Sequence, residues 1–190
     1  MNILGHLYLS GPSSQLLVGN FLGDFVDGEQ AQRYHGDIHR GIELHRAIDR
    51  YTNAHPQFKK SKAHLWSRHR HYSAVIIDIF YDHFLARNWH NYSEQSLTDF
   101  VQDCYATLQD YESLLPDKAR TALMKIIDHD WLMRYETIEG LEIVFAGMAQ
   151  RARFPSQMGS ACEDLQKYYR QFEQECCQFL PQIRNWIDEM

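Results

Sequence analysis

Between Tyr72 and Trp89, apolar side chains cover nearly the whole circumference of a helix. Ala74, Val75, Ile76, Ile77, Ile79, Phe80, Tyr81, Phe84 and Leu85 leave no broad polar stripe for solvent. Such a helix is stable only when other elements wrap it. Its apolar-rich run, Ala74 to Leu85, is too short to cross a bilayer and carries Asp78, Asp82 and His83. The wrapping must therefore come from the rest of the chain, whose 190 residues suffice for a single domain over 1–190 with a real core.

The flanking sequence supplies more helices and no strands. Asp37 to Thr52 reads as one helix, with Ile38, Ile42, Ile48 and Tyr51 near a 3.6-residue stripe, and it ends at Asn53-Ala-His-Pro56. Gln57 to Arg70 is a polar helix. Ser93 is a fair N-cap for a helix ending near Leu115-Pro116, and Asp117 to Asp128 and Thr137 to Arg151 follow. Leu165, Tyr169, Phe172, Cys176, Phe179, Ile183 and Ile187 mark a C-terminal helix that Pro181 should kink or interrupt. Met1 to Leu9 is helix-like, and Gly11-Pro12-Ser13-Ser14 turns the chain into a helix carrying Leu16, Leu17, Phe21 and Phe25. No alternating pattern of useful length and no repeat occur, so the expected class is all-α.

No secretory leader is legible, and a cytoplasmic, membrane-free protein is the expectation. Cys104, Cys162, Cys176 and Cys177 form no C-x-x-C pair, which favours reduced thiols and disfavours a cysteine zinc site. Net charge is −6, yet Arg33 to Arg70 holds nine Lys and Arg against three Asp and Glu. That segment is either a solvated face or a docking surface for an acidic partner.

Three constellations carry chemistry. Asp78 and Asp82 project from one face of the buried helix, with His83 about 100° further round. Two buried carboxylates repel unless a cation compensates them. The cation is either a divalent metal suited to oxygen and imidazole ligands, such as Mn²⁺, Mg²⁺ or Fe²⁺, or an arginine such as Arg46, Arg50 or Arg87. His45 and Asp49, four residues apart, converge beside a cationic row of Arg46 and Arg50, an arrangement suited to a phosphate near a metal or to plain ion pairs. Asp24 lies among Phe21, Leu22, Phe25 and Val26, as a site carboxylate, a cap or an arginine partner. His6, in an apolar stretch, taken alone reads as a core histidine. His55, His64, His69, His71 and His90 read as surface residues, His69 and His71 adding to the basic face; Asp128-His129-Asp130 reads as a capped helix end.

No Gly-rich phosphate loop, G-x-S-x-G elbow or H-E-x-x-H motif is present, which argues against nucleotide-dependent phosphoryl transfer, serine hydrolases and zincin proteases. Together the pieces resemble the acyl carrier protein phosphodiesterase family. The carriers are Met1-Asn2-Ile3-Leu4-Gly5-His6-Leu7, Gly19-Asn20…Asp24-Phe25-Val26…Gly28, His45-Arg46…Ile48-Asp49 and Asp78…Asp82-His83-Phe84-Leu85…Arg87…Trp89. Trp131-Leu132-Met133-Arg134-Tyr135 and Gly147-Met148-Ala149…Arg151 extend the match down the chain.

The resemblance implies an all-α fold similar to HD-type metal phosphohydrolases, and removal of 4′-phosphopantetheine from the serine of holo acyl carrier protein with a divalent metal, typically Mn²⁺. Asp24 becomes the carboxylate most expected to be essential. His6, Asp78, Asp82 and His83 join it as metal-site residues, with His45, Arg46 and Asp49 in catalytic roles: His45 or a metal-bound water protonates the leaving oxygen, and Arg46 or Arg50 balances added charge. The doublet here reads Asp82-His83 rather than His-Asp, so the ligand order of the HD superfamily does not transfer. Arg50, Lys59, Lys60, Lys62, Arg68 and Arg70 become the docking cations for an acidic carrier protein. A phosphohydrolase of small phosphoesters and a non-catalytic module holding an acidic partner are the rivals; nucleic-acid binding has no motif in its favour.

Overall fold

Most of the strongly apolar residues of the α6 helix, Ser73–Arg87, end up inside: Ile76, Ile77, Ile79, Phe80, Tyr81, Phe84 and Leu85 are all 0% exposed, while Val75 is partly buried. The computed structural model describes residues 1–152 and 156–190, and it is 81% helical with no strand. Before α6 come α1 (Ile3–Leu9), α2 (Ser14–Leu22), the short α3 (Gly28–Ala31), α4 (Gly36–Ala54) and α5 (Pro56–His69). After it come α7 (Leu97–Asp110), α8 (Asp117–Asp128), the single turn α9 (Trp131–Arg134), α10 (Ile138–Arg151), α11 (Ala161–Lys167) and α12 (Tyr169–Asp188). Helices α1, α5 and α12 pack directly on α6, and one apolar core joins residues from Met1 to Ile183. Among the described residues no helix is long and apolar enough to cross a membrane.

Local chemistry sets the boundaries. Ser13 caps α2 by accepting from Leu16 N–H, Asp27 and Gln30 form a reciprocal capping box at α3, and Thr137 accepts from Gly140 N–H at α10. Pro56 opens α5, where its missing N–H costs nothing. The cap of α7 is Ser96, whose Oγ accepts from Asp99 N–H at 3.1 Å; the expected Ser93 instead takes Gln95 N–H in the preceding turn.

The C-terminal stripe divides differently from expectation. It breaks at Tyr168, between α11 and α12, while α12 runs straight through Pro181. One lost backbone bond does not outweigh the burial of Phe172, Cys176, Phe179, Leu180 and Ile183 on the same helix.

The crossing of α2 and α4 positions the site. Gly19 and Gly41 face each other there: a Cβ on Gly19 would strike Ile38 O, and one on Gly41 would strike Leu16 O. The two backbones therefore approach as closely as side-chain-free helices can, setting Asn20 of α2 against α4.

Candidate metal centre

Asn20, fully buried on α2, organises two histidines from different helices. Its Nδ2 donates to His6 O at 2.8 Å and to Ser10 Oγ at 2.9 Å, so its Oδ1 remains as the acceptor facing His6 Nδ1 at 2.9 Å. Its backbone oxygen lies 2.9 Å from His45 Nδ1. An oxygen that can only accept requires a donating Nδ1–H on each ring, and this fixes each neutral imidazole with its lone pair on Nε2. The rings stack with centroids 4.0 Å apart and planes 15° from parallel.

Both Nε2 atoms point at carboxylates. His6 Nε2 is 3.2 Å from Asp49 Oδ1, and His45 Nε2 is 3.4 Å from Asp49 Oδ2 and 3.4 Å from Asp24 Oδ1. One ligand atom each from His6, His45 and Asp49 lies within 4.8 Å of the others, the only such group of metal-capable side chains among the described residues. The histidines are buried while Asp24 and Asp49 are 55% and 44% exposed, so the donors open to solvent on the carboxylate side. Lone pairs aimed at carboxylates repel unless a cation sits between them; two imidazoles and carboxylate oxygens, each histidine oriented through its other nitrogen, are the donor set of a divalent metal site.

Protonation fills the same need in part. Burial pulls the His45 pKa down, but hydrogen bonds to Asp24 and Asp49 outweigh it and raise the imidazole to about 9. Burial likewise pushes Asp49 up, and the bond from His45 with the nearby positive Met1 amine overrides it and holds its carboxyl well below the usual range. Asp24 is lowered on the same balance. His6, buried and facing the positive Met1 amine, is lowered and stays neutral.

The carboxylates of α6 stand behind this cluster. Met1 N donates to Asp78 Oδ1 at 2.8 Å and lies 3.9 Å from Asp49 Oδ1. Asp82 accepts from Leu4 N–H at 2.8 Å and Gly5 N–H at 3.1 Å, closing the exposed start of α1, where Asn2 makes no side-chain cap. Burial raises the Asp82 carboxyl to about 7. Asp82 thus sets the helix that carries His6. His83 turns away: its Nδ1–H donates to Tyr135 O at 2.7 Å, and its Nε2 lies 3.3 Å from Tyr169 Oη. The expected set separates into His6, Asp24, His45 and Asp49 at the cluster, Asp78 and Asp82 supporting it, and His83 outside the metal-capable group.

The arginines go elsewhere as well. Arg46 pairs with Glu43 at 2.7 Å, and Arg50 lines a groove with Leu16, Leu44 and Ile187. Of the expected docking cations, Arg68 is held by Glu163 at 2.8 Å and Asp164 at 3.1 Å, Lys60 reaches Glu175 at 3.2 Å, and Lys62 lies over the Phe58 ring. Lys59 and Arg70 are exposed. His55 and His69, expected at the surface, are buried: His55 caps α5 through Nδ1, and His69 Nε2 meets Asp164 at 2.8 Å. Asp164 beside His69, and Phe179 and Gln182 beside His55, lie more than ninety positions along the chain, beyond the reach of local pattern.

Asn20 and Gly23 are the residues that sequence reasoning left without a role. A Cβ at Gly23 would overlap the His45 ring, so glycine there makes room for that imidazole; the local trace is a buried amide, Asn20, among the apolar residues of α2.

The sequence model of the acyl carrier protein phosphodiesterase family matches residues 1–183. Proteins bearing that name are similar to this chain along nearly its whole length. The Serratia proteamaculans (strain 568) protein is 33% identical over 184 residues, 96% of this chain and 95% of its own. The Photorhabdus laumondii protein is 31% identical over 183 residues, covering 95% and 92%, and an Escherichia coli O157:H7 protein is 32% identical over 187 residues, covering 96% and 95%. No solved structure matches the chain. With a metal-capable cluster built from the segments that carry the resemblance, and a family match from residue 1 to residue 183, the chain belongs to the acyl carrier protein phosphodiesterase family.

Proposed function

We propose that this protein hydrolyses the phosphodiester between 4′-phosphopantetheine and the serine of holo acyl carrier protein, giving the apo carrier and 4′-phosphopantetheine. The observation that carries the proposal is the solvent-open cluster of His6, His45, Asp49 and Asp24, in a chain matched end to end by that family. His6 Nε2, His45 Nε2 and Asp49 would hold a divalent ion, with Asp24 at its open side. Mixed nitrogen and oxygen donors suit Mn²⁺ or Fe²⁺ better than Mg²⁺. The ion, when bound, supplies Lewis acidity that polarises the phosphoryl oxygen and makes water a better nucleophile.

The chain's own groups do the rest. Asn20 keeps both imidazoles in the ligating tautomer, and Asp82 and the Met1–Asp78 pair hold α1 against α6. Asp24, half exposed, accepts the proton of the attacking water. The water oxygen bonds to phosphorus as the bond to the serine oxygen breaks, and that oxygen is protonated at the open face. With both its nitrogens committed, His45 serves as ligand rather than acid. Arg46 and Arg50, turned to Glu43 and to the α4 flank, take no part in this scheme.

Purified protein incubated with holo carrier and Mn²⁺ should strip the arm, read as the mass lost by the carrier. An intact arm in the presence of Mn²⁺, with a small phosphodiester still cleaved, would assign the centre to another phosphoester.

A further inference from the structure

Two hollows of about 400 and 360 Å³ share Lys125, Trp131, Val144 and Arg151, forming one trough between α8, α9 and α10. Its inner end is lined by Ile3 and Phe25. Phe25 follows Asp24 in sequence and Ile3 opens the helix that carries His6, so the inner end is formed by chain neighbours of two cluster residues. Its outer end reaches His129 and Gln150.

We propose that this trough receives the pantetheine arm while the phosphate lies at the metal cluster; the inference rests on the function proposed above. Three features fit. The length is right: the lining follows α8 from Lys118 to His129, roughly 16 Å of helix at 1.5 Å per residue. The arm, three units each a little longer than an amino-acid residue, spans on the order of 15 Å when extended. The walls are right: Ile126, Val144, Met148 and Trp131 offer apolar surface to methyl and methylene groups, while Lys118, Lys125 and Thr121 offer donors for two amide carbonyls. The charge is right: no Asp or Glu lines either hollow although the chain is net acidic, so a neutral arm with an anionic end meets no repulsion. Arg151, stacked 5.4 Å over the Trp131 ring, flanks the middle of the trough.

Gly147, on α10, lines the trough, and the nearest atom to a Cβ built there is Arg151 Nη2 at 4.0 Å. The Cβ of Gly147→Trp therefore meets no backbone or core atom, and the substitution is designed to fill the trough. Thr121→Trp, at an exposed position on α8, is a second, independent plug. Each should lower kcat/KM for holo carrier at least tenfold and leave cleavage of bis(p-nitrophenyl) phosphate, which has no arm, at the wild-type rate. Pantetheine itself should bind the metal-free wild-type protein by calorimetry and bind neither variant. Wild-type kcat/KM in both plugged variants, or equal binding of pantetheine to all three proteins, overturns the assignment. Failure of the wild-type protein to strip holo carrier sinks the proposed function instead, and pantetheine binding to the trough is then judged by calorimetry alone.

Discussion

His6 and His45, thirty-nine positions apart, lie ring over ring at 4.0 Å, each anchored through Nδ1 to the same residue, Asn20. One uncharged residue thus sets the tautomer of one ring through its side chain and of the other through its backbone oxygen. Asn20→Ala should weaken Mn²⁺ binding by about 10- to 100-fold, the usual effect of losing an orienting partner. Isothermal titration of the chelator-treated variant checks this; unchanged affinity would mean that the rings hold themselves.

Gly23→Ala places a methyl where the His45 ring lies, whereas Gly28→Ala meets open space. The first substitution should lower activity and metal affinity severalfold or more. The second should leave both at wild-type values. Parallel assays and melting curves separate ligand displacement from unfolding.

Metal and proton compete for His45. Its metal-free imidazole titrates near 9 and His6 is already neutral, so at pH 7.5 one bound metal should release about one proton. Apparent affinity should rise about tenfold per pH unit and level off near pH 9. Metal-free stability runs the other way: the raised His45 pKa contributes stability fully present below about 6.5 and lost as pH passes through 9. Calorimetry in buffers of different ionisation enthalpy counts the protons, and metal-free melting curves between pH 6 and pH 10 test the stability slope.

Asp82→Ala leaves two buried N–H groups at the start of α1 unpaired and should cost about 2–4 kcal/mol. Asp82→Asn keeps an acceptor without the buried charge and should cost less. The raised carboxyl also predicts a pH trend: the penalty for ionising Asp82 grows as pH rises from about 4 through 7, and Asp82→Asn should remove that part of the slope. Urea unfolding across this range is the measurement.

Docking of an acidic carrier predicts that kcat/KM falls severalfold between about 0.1 and 1 M ionic strength, as the Debye length shrinks from about 10 to 3 Å. Lys59→Glu and Arg70→Glu, which reverse exposed charges, should raise KM. Arg68→Ala, whose charge Glu163 and Asp164 already balance, should lower the melting temperature and leave KM unchanged. Steady-state kinetics of the three variants decides which charges meet the carrier.

The all-α class was legible because the pattern of Tyr72 to Trp89 admits no other use, and the structure leaves that helix's large apolar side chains with no exposed surface. The pairing of His45 with Asp49 was legible too, since four-residue spacing is a local property of a helix. What escaped was decided across the chain. Asp82 bonds residues 77 and 78 positions away, and no helical projection of α6 reveals that its partners are backbone N–H groups rather than a metal. His6 looked like a core histidine because it is one; its second nitrogen reaches Asp49 only after α1 and α4 meet. Pro181 misled in the opposite direction, a strong local breaker overruled by burial on both sides of it.

The contact between Gly19 and Gly41 bears on redesign. Because backbone meets backbone there, the gap between the helices bearing Asn20 and His45 has no side chain to trim or lengthen. In the proposed centre an ion of different radius would therefore be accommodated by the reach of Asp24 and Asp49, the solvent-facing carboxylates, and not by spreading the helices. Attempts to change which metal this scaffold prefers should begin at those two carboxylates, where longer or shorter acids alter the cage while its frame keeps one fixed width.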